Sequence, residues 1–496
     1  MGFMQTLRRR LFGGSPLYDA AGAGRRSRSW VVGKVGAVTA LAWSQDNLRA
    51  KSRDAVRKNT WAAAGIEAFV ANAIGTGIKP QSMVQDAALR EAIHSLWWDW
   101  CEEADAAGLT DFYGLQALAT RSMLEGGECF VRLRSRRPQD MDTVPMQVQL
   151  LESEHVPITY NALADNGNSI RCGIEFDAIG RRVAYWMYPV HPDDPLAAPM
   201  SGSGAGLSEL VRVPAAEVLH LFRPLRPGQI RGEPWLARAL VKLHELDQYD
   251  DAELVRKKTA AMFAGFIRRD SPEDRLLGET SDTGGGLVAG MEPGTIQILE
   301  PGEDISFTQP SDVGGSYGEF MRQQFRAVAA AMGVTYEMLT GDLTQVNYSS
   351  IRAGLLEFRR RCEAIQDHVI VHQLCRPVWR AWMDAAVLAG LLDMPGYTRR
   401  KRDYRAAKWI AQGWQWVDPL KEINAQKAAI RAGLLSRAQA VSASGYDVED
   451  MDAEIASDNQ RADGYGLVFD SDPRHDQPAQ TQDNTHPVQP QDNTQP

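Results

Sequence analysis

Leu236, Leu240, Leu243, Leu246, Tyr249, Leu254 and Met262 recur at near-helical spacing, and the pattern runs on towards Ile267. Apolar residues three and four apart fall on one face of an α-helix, and Pro234 stands where a first-turn proline is tolerated. The stripe predicts one helix over 234–267, about 34 residues and roughly 50 Å long. A rod of that length rarely belongs to a compact single-layer enzyme core. It calls for an elongated setting.

The flanking segments differ in kind. Between residues 128 and 223, "ECFVRLR", "MQVQLLE", "IRCGIEF", "RVAYWMY" and "EVLHLF" alternate in polarity and are separated by Gly, Pro, Asn and Asp. This predicts a β-rich lobe. The glycines of "PMSGSGAGLSE" lack the preceding strand and following helix of a phosphate-binding turn, so that stretch reads as linker. Before the lobe, Gln45–Ile74 and Asp86–Glu103 read as helices. The second carries Trp97, Trp98 and Trp100. With no basic residues interleaved, these are expected in an aromatic core or subunit contact rather than a base-stacking platform.

After the stripe, residues 268–313 are broken by Gly and Pro, with "GTIQILE" and "DISFTQ" as expected strands. A shorter helix is predicted from Glu319 to about Met332. Beyond Asn347, Ser349 and Ser350, apolar residues recur at Ile351, Leu355, Phe358, Cys362, Ile365 and Val369, with His372 next. That spacing is a narrow seam suited to neighbouring helices. Pro377 interrupts it, removes a backbone hydrogen bond and predicts a kink.

Composition narrows the class. At 496 residues the chain should divide into roughly three segments of domain size, and its apolar fraction of 44% and charged fraction of 24% are those of a globular protein. No apolar run approaches the ~20 residues of a membrane span, so no membrane partner is expected. The five cysteines are scattered and lack CxxC spacing, which predicts reduced packing thiols in a cytosol. Through residue 60 there are twelve Lys/Arg against three Asp/Glu, a local +9, which leaves −18 on the rest of a chain whose net charge is −9. Only this N-terminal arm looks drawn to polyanions. "RRSRSWVVGKVGAVTALAW" superficially resembles a twin-arginine export leader, but Lys34 interrupts its apolar region, and a basic arm with an apolar anchor is the expectation. From Pro473 the chain is Gln, Pro, Asp, Asn and Thr, with "QDNT" repeated, and a disordered tail is predicted.

Catalytic patterns are weak. Gly314-Gly315-Ser316-Tyr317-Gly318 fits G-x-S-x-G, with His368 and His372 downstream, and a serine hydrolase or maturation protease centred on Ser316 is the competing reading. The chemistry needs the serine at the end of a buried strand, and "TQPSDV" is not one. His368, His372, Cys362 and Cys375 do not all converge from one helix, and the glutamate of H-E-x-x-H is absent, so no metal site is expected. With no Walker A or EF-hand sequence either, no cofactor is expected and the chain reads as no enzyme.

The stretch "TGDLTQVNYSSIRAGLLEFRRR" (340–361) resembles the signature of the lambda-type phage portal proteins, in which D-L-[ST]-x-x-N-Y-S-S-x-R precedes a long helix. "YDAAGAGRRSRSW", "LRAKSRDAVRKNTWA", "NAIGTGIKP", "GGECFVRLR", "VQLLESE", "GIEFDAIGRRVAYW", "VLHLFRPLRPGQIRGEPWLARAL" and "MGVTYEMLTGD" resemble family blocks in the same order, covering roughly residues 18–390. Thr60 stands where proline is expected and Thr344 where serine is common.

The resemblance implies a mixed α+β portal fold. Laid on this chain it gives a basic arm (1–45), a wing (46–233, β-rich over 128–223), a first stem helix (234–267), a clip (268–313) and a second stem helix (314–332). A tunnel loop (333–349), a long kinked helix (350–390), a C-terminal wing or crown region (391–470) and a tail (471–496) follow. It further implies a homo-oligomeric ring, typically a dodecamer, at one capsid vertex of the virion, assembled in the host cytoplasm. Double-stranded DNA would pass through it, with the terminase large subunit, major capsid or scaffold protein and head-completion proteins as partners. The loop residues Asp342, Leu343, Thr344, Gln345, Val346, Asn347 and Tyr348 would border the DNA. They include no cation, so the expected contact is weak, because each phosphate neutralised by Lys or Arg adds a salt-dependent grip. Arg352, Arg359, Arg360 and Arg361 are candidates for contact with DNA or a neighbouring subunit, and Pro377 for the kink.

Overall fold

The computed structural model describes residues 32–194, 209–261, 265–269, 279–280, 287–288, 303–307, 317–344, 346–414 and 419–469. Most of the basic arm, the glycine-rich linker, the "GTIQILE" stretch, Ser316, Gln345 and the Gln/Pro tail lie outside the described residues. The chain divides into two compact bodies, one of residues 1–76 and 95–396, the other of residues 77–94 and 397–496.

The first body opens with α1 (Ala37–Ala42), α2 (Gln45–Lys58) and α3 (Thr60–Ala73). The single helix expected over Gln45–Ile74 is broken at Asn59, whose backbone is extended (φ −100°, ψ 117°). Its side chain accepts from the Trp61 and Ala62 amides at 3.1 and 3.0 Å, so an N-cap starts a second helix where one apolar stripe would run through. Beyond β1 (Lys79–Ser82), which belongs to the second body, come α4 (Ala87–Glu103) and α5 (Phe112–Gly126). Trp97 and Trp100 of α4 are buried, and the Trp97 ring lies 5.0 Å from both Trp379 and Trp382. The Trp100 indole N–H donates to the Met146 carbonyl at 2.7 Å. These rings are core, as the missing cations implied, while Trp98 is 47% exposed.

The β-rich lobe is two antiparallel sheets. β2 (Glu128–Ser135) lies between β3 (Met146–Glu152) and β9 (Val218–Phe222), while β4 (Ala162–Leu163), β5 (Ser169–Arg171), β6 (Ile174–Phe176), β7 (Arg182–Met187) and β8 (Val211–Pro214) form a meander. Phe130, Val156, Ile174, Phe176, Tyr185, Met187 and Val213 form their shared core. Burying a side chain of that size contributes about 1.5–3 kcal/mol.

The long stripe is interrupted at both ends. Trp235–Arg238 is a 3₁₀ turn whose Trp235 indole donates to the Met332 carbonyl, and α6 is confined to Leu240–Ala261, 22 residues and about 33 Å. Residues 265–267, expected as helix, lie in a strand instead. β10 (Gly265–Arg269) pairs antiparallel with β13 (Glu303–Phe307), Ile267 opposite Ile305, and β11 (Glu279–Thr280) pairs with β12 (Leu287–Val288). The apolar residues that prolong a helical pattern on paper are an aromatic and a β-branched residue behind a glycine, which also suit a paired strand.

Next come α7 (Tyr317–Met332), α8 (Tyr336–Thr340) and a helical run from Tyr348 to Leu388. That run is α9 (Tyr348–Ile365), a π-helical segment Gln366–Cys375 and α10 (Arg376–Leu388), with Pro377 in the first turn of α10. A helical proline removes one N–H and crowds the carbonyl four residues back. The winding is wider here, with the Arg376 amide reaching five residues back to the Val371 carbonyl. The irregularity is thus spread over ten residues upstream of the proline.

In the second body β1 pairs antiparallel with β14 (Ala407–Ile410), beside α11 (Tyr397–Tyr404), α12 (Pro419–Arg431), α13 (Arg437–Ala443) and α14 (Val448–Tyr465). Gln81 donates to Asp447 at 2.6 Å and Arg90 pairs with Glu449 at 2.8 Å, fastening the start of α14.

Candidate functional site

The expected loop over 333–349 contains a helix. Thr335 caps α8 by accepting from the Met338 amide at 3.2 Å, and Gly341 ends it in the left-handed region (φ 69°), so the described non-helical residues are 341–344, 346 and 347. Asn347 then starts the long helix by accepting from the Ser350 amide at 2.8 Å.

Asp342 organises this stretch. Its carboxylate accepts from the Thr344 hydroxyl at 2.5 Å, the Thr344 amide at 3.0 Å and the Tyr336 hydroxyl at 2.9 Å, with the Arg322 guanidinium 3.8 Å away. The Thr344 hydrogen bonds chiefly, then Tyr336 and Arg322, hold its pKa down to about 2. The negative charge is therefore fixed at neutral pH but already engaged. Leu343 is 63% exposed, Thr344 and Asn347 are exposed, and Val346 is half-buried. The side chains of Gln345 and Tyr348 lie outside the described residues.

Sequence reasoning missed Tyr336, Arg322 and Arg326, which underlie the loop. Arg326 lies over the Tyr336 ring, 5.6 Å from its centroid. The i, i+4 spacing of Arg322 and Arg326 places both on one face of α7, which was the available signal.

The four arginines beyond the loop do not act alike. Arg352 and Arg359 are half-buried, while Arg360 is exposed and sits 3.7 Å from Glu357. Arg361 turns back onto Gly333, where an added Cβ would run into its guanidinium. Burial lowers the pKa of nearby Arg223, and the charges of Arg238 and Arg361 lower it further.

His368 and His372 are both exposed on the π segment, whereas Cys362 and Cys375 are buried, so the four do not form a ligand set. Among the described residues, the group with metal-ligand spacing is Glu152, Glu154 and His191. Arg49 already pairs with Glu154 at 2.6 Å and Arg53 with Glu152 at 3.3 Å, which leaves little negative charge for a cation.

A second carboxylate was invisible to motif reasoning. Glu128, at the start of β2, is 0% exposed and gathers residues from four other segments. Its oxygens accept from Gln45 at 2.9 Å, Ser153 at 2.5 Å, His220 at 2.9 Å, the Gly232 amide at 2.8 Å and Arg231 at 2.5–3.0 Å. Arg231 is 1% exposed and also donates to the Cys172 carbonyl at 2.8 Å. Burial opposes ionisation of Glu128, but the Arg231 charge and the His220 hydrogen bond overcome it and hold its pKa well below the ordinary range. Burial depresses His220 to about 4, so it is a neutral imidazole donating from Nε2.

A family described as "Phage portal protein, lambda family" matches residues 23–366. A "Probable portal protein" of Halomonas phage phiHAP-1 is 28% identical over 387 residues, covering 77% of this chain and 72% of that protein. A "Portal protein" of Escherichia phage N15 is 22% identical over 493 residues, covering 90% of each. Among solved structures, a chain in the neck of an empty GTA particle computed with C6 symmetry aligns with a TM-score of 0.45 and 16% identity, covering 90% of this chain and 97% of that one. The family match spans well over half of the sequence and takes in both the Asp342 loop and the Glu128 cluster: the chain belongs to the lambda family of phage portal proteins.

Proposed function

We propose that the protein forms a closed ring, expected to be a dodecamer, at one vertex of a phage capsid, and that double-stranded DNA passes through it during packaging and ejection. The observation that carries this reading is the 341–347 stretch, which has no cation, exposes Leu343, Thr344 and Asn347, and has its one carboxylate already engaged by Thr344, Tyr336 and Arg322. Such a surface offers DNA weak, replaceable hydrogen bonds. Two or three phosphate-neutralising cations at this loop in every subunit would instead grip the duplex where it passes. On this reading 234–261 belongs to the stem and 268–313 to the clip, where the terminase large subunit and later the head-completion proteins dock. Capsid or scaffold protein would surround the ring in the virion, after assembly in the host cytoplasm.

Two measurements test it. Native mass spectrometry or negative-stain imaging of the purified protein is expected to show a large closed ring, and a stable monomer would reject the reading. Asp342→Lys is expected to slow packaging and steepen its salt dependence, and an unchanged velocity at every salt concentration would place the loop away from DNA. The hydrolase alternative predicts that Ser316→Ala abolishes function, whereas a portal bearing it assembles and packages normally.

A further inference from the structure

In the second body, Tyr397–Lys408 reads YTRRKRDYRAAK, six cations and one acid in a chain whose net charge is −9. Tyr397 and Tyr404 are buried, with ring centroids 5.9 Å apart, and give the segment a fixed base. Arg400 lies 5.5 Å from the Tyr404 centroid, and Lys401 and Arg405 lie 5.5 and 5.7 Å from that of Tyr397. Arg405 also donates to the Tyr397 hydroxyl at 3.0 Å, and Arg400 pairs with Asp403 at 3.2 Å. Lys408 donates to the Ser442 hydroxyl at 2.6 Å, which leaves Arg399 and Arg402. Both are exposed, and among the described residues no carboxylate pairs with either. The backbone at Arg400 leaves the helical region (φ −116°, ψ 25°), so the cations fan out rather than follow one regular helix.

We propose that Tyr397–Lys408 is a binding surface for the phosphate backbone of double-stranded DNA, separate from the 341–347 loop and indifferent to base sequence. Cations seated on aromatic rings beside cations with no counter-ion are the electrostatic footprint of phosphate contact. The acidic helix α14 of a second copy is a less suitable partner, because three of its six carboxylates already hold cations of their own chain: Glu449 pairs with Arg90, Asp452 with Arg437 and Asp458 with Arg461. The proposal goes beyond the conduit reading, and its readout is binding of free DNA rather than packaging, so either can fail alone.

The test is fluorescence anisotropy of a labelled random-sequence duplex with the full-length assembled protein across a salt series. Arg399→Gln/Arg402→Gln removes two contacts at exposed positions and is expected to lower the steepness of log K against log salt by about 1.8, with a more than tenfold loss of affinity at low salt. Arg399→Lys/Arg402→Lys is expected to keep the slope, since lysine also neutralises phosphate. An unchanged slope in the Gln variant overturns the proposal. So does loss of ring assembly with the slope intact, which would assign the patch to contact between copies.

Discussion

Glu128 and Asp342 are both carboxylates held ionised below their ordinary range, by opposite means. Asp342 is held by neighbours in sequence, Thr344 two residues on and Tyr336 six residues back, at the surface of a loop. Glu128 is held in the interior by Gln45, Ser153, His220 and Arg231, which stand 83, 25, 92 and 103 residues away. A local arrangement of the first kind stiffens one turn and leaves the surroundings alone. An arrangement of the second kind joins α2, β2, β9 and the segment leading to α6, so its loss propagates.

The largest effect that would break this comparison is at Arg231. Arg231→Met leaves Glu128 buried without its cation and is expected to destabilise the protein by about 3–5 kcal/mol, measured by urea unfolding at fixed protein concentration. The double variant Glu128→Gln/Arg231→Met is expected to recover part of that loss, and equal losses in both would show that the charge is not what matters. Gly232 comes next. A Cβ there would collide with the Gly127 carbonyl, and the Gly232 amide donates to Glu128 at 2.8 Å, so Gly232→Ala is expected to cost about 1–3 kcal/mol on the same assay.

Acid sharpens the contrast further. His220 is depressed from 6.5 to about 4 by burial, so the folded state binds fewer protons than the unfolded one across that window. Its contribution is fully present above 6.5 and is lost as pH falls towards 4; Glu128, also depressed, adds a second loss below 4.5. The unfolding midpoint should therefore begin to fall below about pH 6.5, and His220→Gln should flatten the 4–6.5 part of the curve while leaving the lower part. The smallest effect is at the loop. Tyr336→Phe should leave the midpoint unchanged and raise the Asp342 pKa above about 2, read by carboxyl-carbon NMR.

Elements defined by a run of adjacent residues were legible in the sequence, and those defined by convergence were not. The seam from Ile351 to Val369 does lie on a helical run, and the alternating stretches after Glu128 are antiparallel strands. The stripe after Pro234 was read too long because Phe266 and Ile267 satisfy helix spacing and strand pairing equally, and the pairing with Glu303–Phe307 is a tertiary fact. Pro377 announced a disturbance in the helix, but a π segment depends on which carbonyls remain reachable. The loop was placed by the likeness of residues 340–361 to the family signature, whereas Tyr336, Arg322 and Arg326 beneath it leave no motif. Nothing local marks Glu128, since its partners lie in four separate stretches of the chain between Gln45 and Gly232.

All five cysteines are buried, and burial pushes the thiols of Cys129 and Cys362 up to about 12. None is positioned to supply a thiolate at neutral pH, so maleimides and mild oxidants should find little to attack in the native protein. A cysteine placed at exposed Thr344 would then be the sole reactive handle on each copy. A dye attached there would report on the surroundings of this loop, without first clearing the chain of its own sulfur.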